Sequence, residues 1–160
     1  GDSLRGLKKF AEAKQAYVEY LRLSDFDAKL PEKLGYYLFS TPFYSAFSKR
    51  RATERAVYDD QRNIGYFGLC ECEEKMNNLL LATQYCKKAL AYDPNDVHSY
   101  SKLGVISLDL YNQKPSREPL LLARAYFEKA ISINAELDES EAARKYIGEI
   151  DKRLQRLPSN

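Results

Sequence analysis

The sequence predicts an all-α fold, a stack of antiparallel helix pairs closed by a C-terminal helix, and three observations carry that prediction. Apolar residues recur at three- and four-residue steps, and no stretch alternates strictly with a period of two. The seven glycines and six prolines fall mostly between long runs rich in Ala, Leu, Lys, Glu, Arg and Gln. A small-large-small pattern also returns at intervals close to one or two multiples of about 34 residues, the length of a stacked helix pair.

The elements follow in order. Leu7, Phe10, Ala13 (or Lys14), Tyr17, Tyr20 and Leu21 define one buried stripe and predict a helix over 4–23. A second helix starts near Leu30, with Pro31 tolerated in its first turn. Thr41 before Pro42 reads as an N-cap that opens a helix near residue 42, and helix continues over 61–76. Leu79 to Tyr92 form another, stopped by Asp93-Pro94-Asn95-Asp96 before a new start at Val97. The stretch from Asn112 to Pro119, with two prolines and little apolar content, predicts a loop between helices at 97–111 and 119–133. Asp138 with Glu141 three residues on reads as a capping box that opens a last helix running to about Leu154.

The repeat is the most informative signal. Ala82-x3-Cys86-x2-Ala89-Leu90-x-Tyr92-Asp93-Pro94 aligns with Ala123-x3-Phe127-x2-Ala130-Ile131-x-Ile133-Asn134-Ala135 and, more loosely, with Ala13-x3-Tyr17-x2-Tyr20-Leu21. Ala13 and Ala82 are 69 residues apart, about two repeats, while Ala82 and Ala123 are 41 apart, one repeat and a seven-residue insertion. Upstream of these, Tyr66-x2-Leu69-Cys70 and Tyr100-x2-Leu103-Gly104 each place an aromatic, an aliphatic and a small residue on one stripe. These residues resemble the tetratricopeptide repeat family. Pro31-x2-Leu34-Gly35-x2-Leu38 is a degenerate copy with proline in the aromatic position. The resemblance implies one domain over 1–160, with an incomplete repeat at 4–27, a degenerate repeat at 28–62, repeats at 63–96 and 97–137, and a capping helix at 138–156. The repeat at 97–137 carries the inserted loop near 112–118. Residues 4–25 match only the second helix of a pair, so a chain cut from a longer repeat protein, or an atypical first repeat, is expected.

In this family the first helices of successive pairs line a concave surface that holds a peptide or a partner protein. The stripe opposite the core predicts that groove: Ile64, Phe67 and Glu71, then His98, Ser101, Lys102 and Val105, with Lys29, Glu32 and Tyr36 in the degenerate repeat. Its mixture of apolar and charged side chains suits an extended or helical peptide better than a small metabolite. Some members clamp the C-terminal carboxylates of chaperones with basic residues, but only Lys29 and Lys102 have the required charge here, so that activity does not carry over.

Composition narrows the other possibilities. The formal net charge is +2 with 30% charged residues, so no whole-molecule field draws nucleic acid or an anionic membrane. The longest apolar runs fall far short of the roughly 20 residues that span a bilayer, so no membrane insertion is expected. The odd cysteine count of three favours a reducing compartment and a cytoplasmic protein. Cys70 and Cys72 point about 200° apart on a helix and cannot chelate together. Cys70 and Cys86 fall on core stripes and are expected to be reduced and buried. His98 is the single histidine, and there is no glycine-rich phosphate loop, so no catalytic residue, metal or cofactor is assigned. Lys49, Arg50, Arg51 and Arg55 form the one local basic cluster, preceded by Tyr36, Tyr37, Phe39, Phe43, Tyr44 and Phe47. Its expected role is a solvated helix turn without strong nucleic-acid binding. The alternative is a regulatory or architectural segment whose groove is filled by its own parent chain and whose basic cluster touches nucleic acid.

Overall fold

A computed structural model describes residues 7–22 and 44–157, and within 44–58 the backbone alone. Six helices and no strand occur among the described residues: α1 over 7–22, α2 Tyr44–Lys75, α3 Leu79–Tyr92, α4 Val97–Gln113, α5 Arg117–Ile133 and α6 Asp138–Arg156. The chain is all-helical over these residues. The degenerate copy at 31–38 and the Thr41 cap lie outside them.

Local hydrogen bonds explain where the helices stop. Asn77 adopts a left-handed φ of 62°, and the amides of Asn77 and Asn78 donate back to the carbonyls of Glu74 and Glu73 at 2.9 and 2.8 Å. This double closure ends α2 and satisfies carbonyls that the helix leaves without partners. After α3, Asp93 Oδ1 accepts from the Asn95 amide at 2.9 Å, and Asp96 Oδ1 caps α4 by accepting from the His98 amide at 3.0 Å. Asn63 ties that corner to α2 by donating to Asp96 Oδ2 at 3.2 Å and to the Ala89 carbonyl at 3.3 Å.

Three expectations need correction. The loop expected over 112–118 shrinks to Lys114, Pro115 and Ser116. The inserted residues lengthen the helices instead. The span from Tyr100 to Gln113 exceeds that from Tyr66 to Lys75 by four residues, and that from Arg117 to Ala123 exceeds that from Leu79 to Ala82 by three. One turn is thereby added to each helix of the hairpin, which keeps the buried stripe in phase. Pro119 fits the first turn of α5, where its missing N–H has no helical acceptor to lose. Secondly, Asp138 does not cap α6, because the helix begins one residue earlier than a capping box requires and Leu137 takes the N-cap position. The Ser140 hydroxyl instead donates to the Asn134 carbonyl. Thirdly, Cys70 and Cys86 are buried but not reduced: they form a disulfide with their Cα atoms 5.3 Å apart. Antiparallel packing of α2 on α3 brings the two stripes face to face at this point. With the disulfide goes the ground for expecting a reducing, cytoplasmic setting.

The pairing directions define two layers. Between α2 and α3, Tyr66 meets Tyr92 and Cys70 meets Cys86, so one number rises as the other falls and the helices run antiparallel. The same holds for α4 with α5 and for α5 with α6, through Tyr100 with Lys129 and through Phe127 with Tyr146 and Arg124 with Asp151. Phe67 with His98 and Glu71 with Lys102 instead keep a constant spacing, so α2 and α4 lie side by side and parallel. His98 with Glu139 and Tyr111 with Arg153 place α6 likewise beside α4. Helices α2, α4 and α6 thus form one layer and α3 and α5 the other. Helix α1 packs antiparallel on α2, with Tyr17 against Gly68 and Leu21 against Gly65. A Cβ at Gly68 would lie 2.3 Å from the Tyr17 ring, so this approach requires glycine. Helix α2 runs unbroken through residues 62 and 63, where the sequence divides two repeats.

The core has two parts. Cys70, Leu79, Ala82, Cys86, Leu103 and Ile106 join α2, α3 and α4, while Leu120, Ala123, Phe127, Ala143 and Ile150 join α5 to α6. Burial of this apolar surface holds the layers together at about 25 cal/mol per Å².

Candidate functional site

Where α2, α4 and α6 lie side by side, their outward stripes leave a concave pocket of about 260 Å³. Phe67 and Glu71 come from α2, and His98, Ser101, Lys102 and Val105 from α4. These are six of the groove residues that the helical periodicity singles out, and the fold brings them together. Ile64 is 52% exposed and stands outside the pocket lining. Lys29, Glu32 and Tyr36 lie outside the described residues. Lys49, Arg50, Arg51 and Arg55 fall on the described backbone of α2, but their side chains are outside the description.

Five contributors to the pocket escape the sequence reading: Glu139, Ala142, Ala143 and Tyr146 of α6, and Phe127 of α5 beneath them. The signal existed, since Glu139, Ala142 and Tyr146 follow three- and four-residue steps along one face of α6. Treating α6 only as a cap hid that face.

Charges bridge the helices across the pocket. Lys102 Nζ lies 3.0 Å from Glu74 Oε2 and 3.3 Å from Glu71 Oε1. Burial alone would lower the affinity of this amine for its proton, but the hydrogen bond to Glu74 and the fields of Glu74 and Glu71 outweigh it and raise its pKa above the usual lysine value. Asp109, further along α4, has its carboxyl held above the usual aspartate value by burial first and by the charge of Glu74 second. His98 Nδ1 lies 3.0 Å from Glu139 Oε1, and its ring lies tilted 6.3 Å from that of Phe67. At the far side Tyr146 stacks on Phe127 with centroids 5.0 Å apart, and the Tyr146 residue is still 37% exposed.

A second ion pair locks α1 in place. Lys14 Nζ reaches Glu73 Oε1 at 2.6 Å, and Asn78 Nδ2 donates to Glu73 Oε2 at 2.7 Å, so the fully buried carboxylate has a cation and a donor. The bond to Glu73 raises the Lys14 pKa above the usual value. Cys72 is buried nearby and unbonded, and burial pushes its thiol pKa up, which suppresses the nucleophilic thiolate. Cys70 is committed to the disulfide, so a C-x-C metal pair is not available. Among the described residues no three His, Cys, Asp or Glu side chains converge as metal ligands, and no helix is long and apolar enough to cross a membrane.

A scan against models of known protein families finds no match, and a search of curated proteins finds no relative.

Proposed function

We propose that the chain is a non-enzymatic binding module of tetratricopeptide type, a superhelical stack that holds a peptide or partner protein against the layer formed by α2, α4 and α6, within a larger protein or assembly. The observation that carries this reading is the convergence of Phe67, Glu71, His98, Ser101, Lys102 and Val105 on one pocket. Among them Phe67 and Ser101, and Glu71 and Val105, hold equivalent positions on the two helices, 34 residues apart. Phe67 and Val105 are half-buried and pack against the core from the pocket side, while Glu71, His98, Ser101 and Lys102 belong to neither core cluster. An apolar floor with charged rims is the composition of a peptide-recognition groove.

Selection of random displayed peptides on the full chain tests the proposal. Ala142 lines the pocket from an exposed helix position, so Ala142→Arg fills the space without disturbing the core. Leu80, 73% exposed on α3 in the other layer, supplies the control Leu80→Arg. Enriched peptides are expected to lose about tenfold or more in affinity with Ala142→Arg, which is about 1.4 kcal/mol, and little with Leu80→Arg. Peptides that bind both variants equally well would place recognition elsewhere.

A further inference from the structure

We infer that the pocket between α2, α4 and α6 accepts the cationic side chain of a basic peptide, its stem lying on Phe67, Val105 and Ala142 and its head held between Glu71 and Glu139. This rests on the groove reading above and names the chemistry of its ligand.

Size comes first. A space of about 260 Å³ lies just below the roughly 300–1,000 Å³ of small-molecule sites, which fits one long side chain delivered by a peptide. The floor is apolar, from Phe67, Val105, Phe127 and Ala142. Arginine and lysine carry aliphatic stems that pack on such surfaces while their heads stay at the polar edge. The exposed Tyr146 ring adds a π surface that attracts a cation.

Charge then decides the sign of the head. The Glu71 and Glu139 side chains, on opposite sides of the pocket, are 47% and 36% exposed, so an incoming group can reach them beside their partners Lys102 and His98. Lys102 is held more closely by Glu74 than by Glu71, at 3.0 against 3.3 Å, so Glu71 can turn to a ligand while Lys102 keeps a carboxylate. The neighbourhood holds four carboxylates, Glu71, Glu74, Asp109 and Glu139, against the amines of Lys75 and Lys102. The chain as a whole carries +2, so this face opposes the sign of the molecule that bears it. An acidic side chain would meet Glu71 and Glu139 and find Lys102 already shared by two carboxylates. Electrostatic complementarity of this kind sets specificity more than raw affinity.

The test uses peptides selected by display on the full chain and sensitive to Ala142→Arg. Each arginine is replaced in turn by citrulline, its neutral isostere, and each lysine by norleucine. Binding is measured to the wild type and to Glu71→Gln with Glu139→Gln in the same buffer. One basic residue is expected to dominate, its neutral replacement costing about tenfold or more with the wild type and under about twofold with the double variant. The replacement with the wild type needs no altered protein, so it decides the matter even if the double variant folds poorly. Ala142-sensitive peptides that lack a required basic residue, or a preference unchanged in a folded double variant, would overturn this inference and leave the groove reading standing. Failure to find any Ala142-sensitive peptide would overturn both.

Discussion

The hairpins α2/α3 and α4/α5 meet the same packing problem with different chemistry. In α4/α5 Gly104 faces the Phe127 ring. A Cβ at residue 104 would lie 2.5 Å from the ring, so the absent side chain is what admits it. The equivalent residues of α2/α3 are Cys70 and Cys86, two mid-sized side chains joined by a covalent bond. One hairpin is held at this point by apolar burial and shape, the other by a crosslink that depends on redox conditions. A repeat position therefore specifies how near two helices must come, and more than one residue pair can satisfy it.

The comparison can be broken most forcefully at Phe127, which is buried and carries the stack with Tyr146. Phe127→Ala should cost about 3–5 kcal/mol in chemical denaturation, through lost burial and the cavity it leaves. A much smaller loss would mean that the ring is not what holds α4 to α5. Next is the disulfide, which closes a loop with a sequence separation of 16. Its reduction should cost about 2–4 kcal/mol, chiefly by freeing the unfolded chain. Cys70→Ala with Cys86→Ala should make stability indifferent to reductant, and thiol titration of the denatured, unreduced wild type should find Cys72 alone. Three reactive thiols would refute the crosslink.

Gly104→Ala probes the same contact from the other side. The rigid Phe127 ring has to shift to admit the methyl group, at a cost of about 1–3 kcal/mol. An unchanged unfolding midpoint would show the approach to be looser than 2.5 Å implies.

The smallest effect lies at the seam between the hairpins, where Asp109 of α4 feels Glu74 of α2. Its pKa is raised in the folded state, so the folded protein binds this proton more tightly than the unfolded chain does. Ionised Asp109 therefore lowers stability above its folded pKa, and that penalty vanishes below the ordinary value of 3.8. Asp109→Asn should stabilise the protein at neutral pH and lose that advantage on acidification. A gain that persists in acid would point to a cause other than charge. Removing Glu74 as well should shrink the gain if the two hairpins are electrostatically coupled.

Much of this was legible because its causes are local. Asp93, Pro94 and Asp96 end one helix and start the next through bonds to residues within three positions, so the corner could be read without the fold. Helical periodicity separated Leu69 and Leu103, which are buried, from Phe67, Glu71, Ser101 and Lys102 on the pocket side, since a 100° step assigns faces within any amphipathic helix. The composition of 112–118 was misleading for an equally physical reason. Proline breaks a helix in its interior but is accepted in its first turn, so α5 starts at Arg117, two residues ahead of Pro119.

Sequence alone thus determined the helical class and which side chains share a face, because these depend on spacing along one chain. Tertiary structure decided which faces meet. It bonded two cysteines that each pass for a small core hydrophobe, paired Lys14 with Glu73, 59 positions further along the chain, and set α6 beside α4 to complete the pocket. No helix carries information about the distance to residues on another, and those contacts arise only when apolar burial brings the helices together.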